Sequence, residues 1–222
     1  MNARPPGSAN APFFNAPAIV VYLTLAIVVA HAVRLLLPQQ PEDWLFYQFA
    51  LIPARLSLMV DGGGNTAAYG PLSLLWASVG HVFLHVDWMH VIMNTVMLLA
   101  VGAGVTRRFG AARFLTIFFA SAIGGAALFF LVRAPESAPA IGASGGVSGI
   151  MAGAFLIMSD PRATWPVLLS KSFLQTSAAF LIINIIMAFA GPAMFGSGIA
   201  WDAHIGGYVV GAVLTASIAA RQ

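Results

Sequence analysis

Six long apolar segments restrict the fold of this chain more than any other feature of its sequence. They cover residues 16–37, 84–105, 114–132, 142–158, 166–190 and 199–220. A helix of about 20 apolar residues crosses the roughly 30 Å hydrocarbon core of a bilayer. Only 8% of the residues are charged, against roughly 25% in soluble domains. The sequence therefore predicts an all-α membrane protein with six transmembrane helices in one domain, residues 17–222.

The rest of the chain is predicted to be a short tail and one long connection. Residues 1–16 contain several prolines and small residues and predict a short cytoplasmic tail. The first apolar segment could be a signal peptide, but those have only roughly 7–15 apolar residues, which favours a spanning helix. Residues 38–80 form the first loop. The run 61–65 in it predicts a turn, and its apolar stretches predict partial embedding in the membrane.

Charged residues predict the orientation of the six helices. With six crossings, one face would carry the basic residues Arg4, Arg107, Arg108, Arg113, Arg162, Lys171 and Arg221. The other face would carry Glu42, Asp43, Asp61, Asp87, Glu136 and Asp202 with only Arg55 and Arg133. Basic loops face the cytoplasm in most membrane proteins. Both termini are therefore predicted to be cytoplasmic.

The composition also argues against two kinds of binding site. The chain has no cysteine, which excludes a disulfide and a thiolate metal site. Its basic residues form no cluster, so the sequence does not predict a nucleic-acid partner.

Three polar side chains are predicted to lie at one depth in the membrane. Counted from the start of their apolar segments, His90, Ser144 and His204 all lie about 7–9 Å below the outer boundary, at about 1.5 Å per residue. Asn94 lies one helical turn beyond His90 on the same face. Polar residues inside spanning helices are costly, so a layer of them predicts a functional site.

The residue types in this layer suit nucleophilic catalysis. A serine hydroxyl such as that of Ser144 is a weak nucleophile without a neighbouring base. An imidazole such as that of His204 can accept its proton near neutral pH. Amide, imidazole and backbone N–H groups can stabilise an oxyanion. Asp202 would point away from His204, because it lies only two residues before it on a helix. The pattern predicts a Ser–His dyad.

Glycines at four-residue spacing predict close packing of two of the helices. They are Gly145, Gly149 and Gly153 in the fourth segment, and Gly207 and Gly211 in the sixth. Small residues at this spacing let two backbones approach closely in lipid. Packing along these glycines would bring Ser144 and His204 face to face.

The polar residues belong to three short motifs. In chain order these are His90-Val91-Ile92-Met93-Asn94, Gly142-Ala143-Ser144-Gly145 and Ala203-His204-Ile205-Gly206-Gly207. On the second, fourth and sixth predicted helices they resemble the HxxxN, GxSG and AH(I)GG motifs of the rhomboid intramembrane serine proteases. His81 and His85 match histidines that many members carry before the first motif. The resemblance extends over about residues 17–220.

The resemblance implies a fold, an activity and a location. The fold would be a six-helix rhomboid-like bundle that hydrolyses peptide bonds in the membrane segments of single-span or multi-span proteins. Ser144 would be the nucleophile and His204 the base. His90, Asn94 and the backbone N–H of Ser144 would stabilise the oxyanion. No metal and no organic cofactor are expected. The expected location is the bacterial inner membrane, with the active site open to the outer side.

Two positions depart from the family pattern. Some members have an aromatic residue four positions after the serine, where it packs on the catalytic histidine, but this chain has Ser148. His204 must therefore be held in another way, for which the glycine packing is the predicted means. The Trp-Arg pair that many members have in the first loop would here be Trp76-Ala77, without the arginine.

Other polar and aromatic residues in the segments have simpler interpretations. Asn184, Thr95 and Ser177 are predicted to form interhelical hydrogen bonds, and His31 to be a buried structural residue. Gly124 and Gly125 are predicted to be packing residues. Phenylalanines 173, 180 and 189 are predicted to face lipid or the core. The sequence leaves open whether His81 and His85 belong to the site.

Two other functions are compatible with a six-helix membrane protein. A catalytically inactive rhomboid-like protein would bind membrane clients without cutting them, but such proteins usually lack one dyad residue. A small transporter would also place polar residues in its spans. The sequence shows no inverted repeat and no row of acidic residues, which weakens that alternative.

Overall fold

The computed structural model describes residues 16–61, 70–134, 136, 138–195 and 198–222. The described residues form nine α-helices: α1 (Ala18–Leu35), α2 (Gln39–Phe49), α3 (Ala54–Val60), α4 (Pro71–Gly80), α5 (Trp88–Phe109), α6 (Ala111–Arg133), α7 (Ser144–Ser159), α8 (Lys171–Phe195) and α9 (Trp201–Ala219). Two 3₁₀ turns, His81–Phe83 and Trp165–Leu169, precede α5 and α8. Apart from Ala16 and Asp61, the predicted tail 1–16 and the predicted turn 61–65 lie outside these residues.

Five described helices are long and apolar enough to cross a membrane: α1, α5, α6, α8 and α9. The sequence therefore predicted an all-helical membrane protein correctly, and this is an integral membrane protein. The remaining predicted segment, the fourth (142–158), forms α7, which has only 16 residues. The number of membrane crossings and the side of the termini stay predictions.

The second spanning helix begins later than its apolar segment. Residues from Leu84 onward were predicted to be helical, but α5 starts at Trp88. Asp87 caps this helix, because its carboxylate accepts a 2.8 Å hydrogen bond from the backbone N–H of His90. The preceding 3₁₀ turn ends at Phe83. The apolar pattern alone could not locate this cap.

Helices α6, α7 and α9 form the centre of the molecule and pack through glycines. A methyl group on Gly211 of α9 would overlap the backbone of Gly149 on α7. One on Gly125 of α6 would lie 2.5 Å from the carbonyl oxygen of Ala203. Such contacts let three backbones approach without intervening side chains. The packing role predicted for Gly124 and Gly125 agrees with this geometry, since Gly124 lies against Val210.

Helix α8 lies at the periphery, against α7 and α9. Only 17% of the residues in its apolar window are buried, compared with 56% for α9. Phe173 and Phe180 belong to the core, whereas Phe189 is 85% exposed. A helix with such a wide exposed apolar face is suited to lipid contact.

The first loop, residues 38–80, contains three helices. Helices α2 and α3 follow Pro38 and Pro53, and Pro71 opens α4. Proline favours such positions because its fixed φ suits the first helical turn and it needs no N–H partner there. The sequence predicted this region as a loop partly embedded in the membrane and did not predict its helices.

The first loop is attached to the segment that leads into α7. Leu51 and Ala140 exchange two backbone hydrogen bonds of 2.9 Å in an isolated antiparallel bridge. Arg55 is only 2% exposed, and its Nη1 donates a 2.7 Å hydrogen bond to the carbonyl oxygen of Tyr47. A buried arginine therefore does stabilise the first loop, although the Trp76-Ala77 pair lacks one.

A short polar loop follows α7, at the end of the bundle opposite to the first loop. Side-chain hydrogen bonds from Arg162, the shortest of them 2.7 Å, lower the pKa of Asp160 to about 2. The two side chains therefore stay ionised at neutral pH.

Candidate active site

Ser144 is the first residue of α7 and follows a tightly held turn. Gly142 has a φ of +123°, a conformation that residues with a side chain rarely adopt. A methyl group at this position would lie 2.7 Å from Cε1 and Nε2 of His90. The motif glycine is therefore needed for its backbone conformation and for the close approach of the His90 ring.

His81 and His85 accept hydrogen bonds from the backbone of this turn. The backbone N–H of Gly142 donates a 3.0 Å hydrogen bond to the carbonyl oxygen of His81. The N–H of Ala143 donates to Nε2 of His85 at 3.3 Å. Since Nε2 accepts, the His85 ring carries its proton on Nδ1. Both histidines, whose role the sequence left open, thus support the backbone next to Ser144.

His90 and Asn94 lie on α5 beside the same turn. Nδ2 of Asn94 donates a 2.9 Å hydrogen bond to the carbonyl oxygen of His90. The His90 ring also lies edge-on to the buried His85 ring, with 4.9 Å between centroids. The structure thus places the His90 ring next to Gly142, with Asn94 one turn further along α5.

The glycine packing sets Ser144 and His204 at the same level of α7 and α9. Gly207 lies against the carbonyl group of Gly145, and Gly211 against Gly149. The two helices therefore run parallel, with the predicted glycines in contact. Within the described ranges no hydrogen bond joins Ser144 to His204, and their dyad role stays a prediction.

The helix ends at the basic face provide a common reference level. Nε of Arg108 donates a hydrogen bond of 3.2 Å to the carbonyl oxygen of Pro161. Nη1 of the same side chain donates to Oε1 of Gln222. The chain segments that end α5, α7 and α9 therefore lie within reach of one arginine side chain and end at about the same height.

Distances counted from this level place the polar residues in one layer. At about 1.5 Å per residue, Ser144 lies about 25 Å along α7, and His204 about 27 Å along α9. His90 lies about 27 Å along α5, and Asn94 about 21 Å. These heights agree with the layer expected from the apolar segments.

The His204 ring is held by a residue from the peripheral helix. Its Nδ1 lies 2.8 Å from Oδ1 of Asn184 on α8. The sequence predicted only a general interhelical hydrogen bond for Asn184. A sharper signal was present, because Phe173, Ser177, Phe180 and Asn184 follow one helical face.

The carboxylate of Asp202 forms hydrogen bonds with groups other than His204. Its side chain is fully buried, and Oδ2 accepts a 2.6 Å hydrogen bond from Nε of Arg133 on α6. Oδ1 accepts from the backbone N–H of Ala203 at 3.0 Å. Neither oxygen bonds to His204, which agrees with the expectation that this carboxylate points away.

Besides the bond of Asn184, interhelical hydrogen bonds were predicted for Ser177 and Thr95, and these two predictions differ in outcome. Ser177 does join two helices, since its hydroxyl lies 2.8 Å from the Tyr208 hydroxyl on α9. Thr95 donates within its own helix, to the carbonyl oxygen of Val91 at 2.8 Å. The prediction for Thr95 was wrong because threonine in a helix can bond to the preceding turn.

The fold and site define a class of protein: a helical membrane protein with a serine at a helix start and an imidazole on the facing helix. Residues 73–221 match the family model described as the Rhomboid domain, and the chain belongs to the rhomboid family. The family resemblance of the sequence is thereby confirmed.

Named relatives are similar over most of the chain. Rhomboid-like protease 3 of Toxoplasma gondii is 26% identical over 195 residues, which cover 88% of this chain and 67% of that protein. Rhomboid protease GluP of Bacillus subtilis (strain 168) is 31% identical over 147 residues, 64% of this chain and 26% of GluP. Rhomboid protease AarA of Providencia stuartii is 24% identical over 188 residues, 77% of this chain and 66% of AarA. The chain thus spans from about a quarter to about two thirds of these relatives' lengths.

Proposed function

We propose that this protein is an intramembrane serine endopeptidase that uses Ser144 as nucleophile and His204 as base. One observation carries the proposal: the glycine contacts between α7 and α9 put a hydroxyl and an imidazole at the same height. Membership in the rhomboid family supports it, since the similar proteins GluP and AarA are named rhomboid proteases.

The proposed reaction proceeds in two halves. The Ser144 oxygen attacks the peptide carbonyl while Nε2 of His204 takes its proton. His204 then gives this proton to the leaving amine, and an acyl-enzyme forms. A water molecule, deprotonated by the same imidazole, attacks the acyl-enzyme, and Ser144 recovers its proton.

Three groups would stabilise the negative oxygen of each tetrahedral intermediate. The backbone N–H of Ser144 belongs to the first turn of α7, whose N–H groups have no partner within the helix. His90 and Asn94 would supply side-chain donors from α5. The Asn94 amide has a second N–H besides the one that bonds to His90.

The Ser144 hydroxyl and Nε2 of His204 would bond when a substrate binds. Catalytic hydrogen bonds are often long in the unliganded state and shorten in the complex. A rotation of the serine side chain is a small change compared with the fixed backbones of α7 and α9.

The proposed setting is a bilayer crossed six times, with both termini in the cytoplasm. The substrates would be single-span or multi-span membrane proteins, and the location the bacterial inner membrane. The site would be open to water from the outer side. The domain would cover residues 17–222, with the first loop partly embedded and residues 1–16 as a tail. No metal, organic cofactor or nucleic acid is part of the proposal.

Cleavage of a single-span reporter in liposomes tests the dyad. We expect Ser144→Ala and His204→Ala to lose roughly 10³-fold or more in cleavage rate, because neither nucleophile nor base has a substitute. The matched control is Ser148→Ala, one turn further along α7, which should stay within about threefold of the unmodified protein.

Labelling by a fluorophosphonate probe gives a second readout. The unmodified protein and Ser148→Ala should react, and Ser144→Ala should not. Retained cleavage by Ser144→Ala would end the assignment. Absence of both cleavage and labelling in the unmodified protein would favour the inactive client-binding alternative.

A further inference from the structure

The hydrogen bond between α8 and His204 has only one consistent arrangement of donors. Nδ2 of Asn184 donates to the carbonyl oxygen of Phe180 on its own helix at 2.9 Å. A carbonyl oxygen cannot donate, so the nitrogen of the amide must face Phe180. Oδ1 therefore faces His204, at 2.8 Å from Nδ1.

This arrangement determines which nitrogen of the imidazole carries the proton. Oδ1 of Asn184 can only accept, so Nδ1 of His204 must be the donor. In a neutral ring the other nitrogen, Nε2, is then the unprotonated one. No hydrogen bond occupies Nε2 anywhere in the described part of the chain. Nε2 is the nitrogen that must accept the proton of Ser144.

The residues that could otherwise orient the ring are engaged elsewhere or absent. Position 148, where an aromatic side chain could pack on the ring, is a serine. The carboxylate of Asp202 bonds to Arg133 and to its own backbone. The Tyr208 hydroxyl bonds to Ser177, and its ring stacks on Phe180 at 4.3 Å. Within the described ranges, the Asn184 side chain is the group hydrogen-bonded to the His204 ring.

We propose that Asn184 is a positioning residue for the catalytic base. The proposed dyad thereby becomes a Ser144–His204–Asn184 triad across three helices. This inference rests on the proposed function. Asn184 orients the ring and selects its reactive tautomer, and it stabilises the imidazolium formed in each half-reaction by accepting from Nδ1–H. It touches neither substrate nor the reacting carbonyl.

The position of Asn184 links the base to the peripheral helix. Asn184 is 6% exposed, although its neighbours Ile183 and Ile185 are 60% and 55% exposed on the outer surface. It therefore belongs to the narrow face by which α8 contacts α9. The base is oriented only while this face stays in contact.

Two substitutions at Asn184 separate orientation from packing. Asn184→Leu keeps a similar volume but removes the acceptor, and we expect kcat to fall roughly tenfold to hundredfold, as for other residues that orient a functional histidine. KM should change less than threefold. Asn184→Asp restores an acceptor for Nδ1–H and should exceed the leucine variant at least tenfold in kcat.

Ser177→Ala is the matched control. It also removes one hydrogen bond between α8 and α9, two turns away, but that bond does not involve His204. We expect its kcat within about threefold of the unmodified protein. An equal loss in Ser177→Ala and Asn184→Leu would mean that both act only by loosening α8, and would overturn the proposal.

The tautomer can be measured on the unmodified protein, which keeps the test independent of folding in the variants. With ¹⁵N-labelled histidine, the His204 signals are identified by their loss in His204→Ala. We expect a protonated Nδ1 and an unprotonated Nε2. An Nε2–H tautomer, or full kcat in Asn184→Leu, would contradict the inference. The dyad itself is tested separately, by the cleavage rate of Ser144→Ala.

Discussion

At the scale of single residues, Gly142 is the position with the narrowest choice of side chain. Its φ of +123° and its contact with the His90 ring are two independent reasons for glycine. The turn it forms directs the chain into α7 and sets the height of Ser144. A change here should affect the site more than the rest of the fold.

We expect Gly142→Ala to lose most of its activity. The left-handed conformation costs a residue with a side chain roughly 1–3 kcal/mol, and the new methyl group would displace His90. Reporter cleavage should fall at least roughly tenfold, with a lower midpoint of thermal unfolding. Gly198→Ala is the control, since among the described residues no atom beyond its chain neighbours lies within 4 Å of the added methyl group. Normal cleavage by Gly142→Ala would show that the turn is not needed in this form.

The sequence allowed prediction of which residue types gather at the site, but not of every contact. The three motifs singled out Ser144, His204, His90 and Asn94, because polar groups in apolar segments are conspicuous. The partner of His204 was missed. The spacing of Ser177, Phe180 and Asn184 indicates which side of α8 faces the bundle, but it does not determine that His204 lies opposite Asn184.

At the scale of elements, one ion pair ties the end of α6 to the start of α9. Asp202 is completely buried, and Arg133 is 28% exposed. A buried carboxylate without its partner is costly, whereas a neutral pair of similar size is tolerated. The pair lies two residues from His204 and so anchors the helix that carries the base.

We expect the Arg133–Asp202 pair to behave as a coupled unit in thermal unfolding. Arg133→Gln leaves the carboxylate buried and unpaired, and should destabilise by roughly 1–3 kcal/mol, below the 3–5 kcal/mol of a fully buried pair. The double variant with Asp202→Asn should recover most of this loss. Additive losses in the double variant would mean that the two groups do not stabilise each other.

Activity of the folded variants separates structure from catalysis. Asp202→Asn should keep cleavage within about threefold, because neither oxygen of Asp202 contacts His204. A loss of a hundredfold or more would instead assign Asp202 a role in proton transfer.

Element boundaries were predicted less well than element types. The apolar segments correspond to α1 and to α5–α9, although α5 starts four residues later than its segment. The helices of the first loop were missed, because α2 to α4 are short and are stabilised by contacts with distant residues. Phe49 of α2 lies directly on Gly80 of α4, and no local pattern predicts that contact.

At the scale of the whole molecule, the order of crossings can be measured directly. The chain has no cysteine, so a single introduced cysteine reports its own side of the membrane. Arg113 lies in the first turn of α6 and Gln222 follows α9, so the four helices α6 to α9 connect the two positions. Four crossings return the chain to its starting side, whereas three would not.

We expect Arg113→Cys and Gln222→Cys to react with a membrane-impermeant maleimide only from the cytoplasmic side. Asp43→Cys, an exposed position on α2, should react only from the opposite side. Intact and inverted vesicles expose the two sides of the membrane to the maleimide in turn. Labelling of the first two positions from different sides would show an odd number of crossings between them, and would overturn the six-helix topology.

The short length of α7 has a consequence for any peptide that approaches Ser144. Helix α7 is shorter than α5 and α6, and these helices end at about the same height near Arg108. The difference in length is therefore at the Ser144 end of α7. Helix α5 continues about 5 Å beyond that height and α6 about 8 Å. The Ser144 hydroxyl thus lies below the ends of both neighbouring helices. In the proposed reaction, a substrate helix beside the bundle would have to leave its straight path to bring a peptide bond to this hydroxyl. The ease with which the substrate unwinds, more than its side chains, would then determine which proteins are cut.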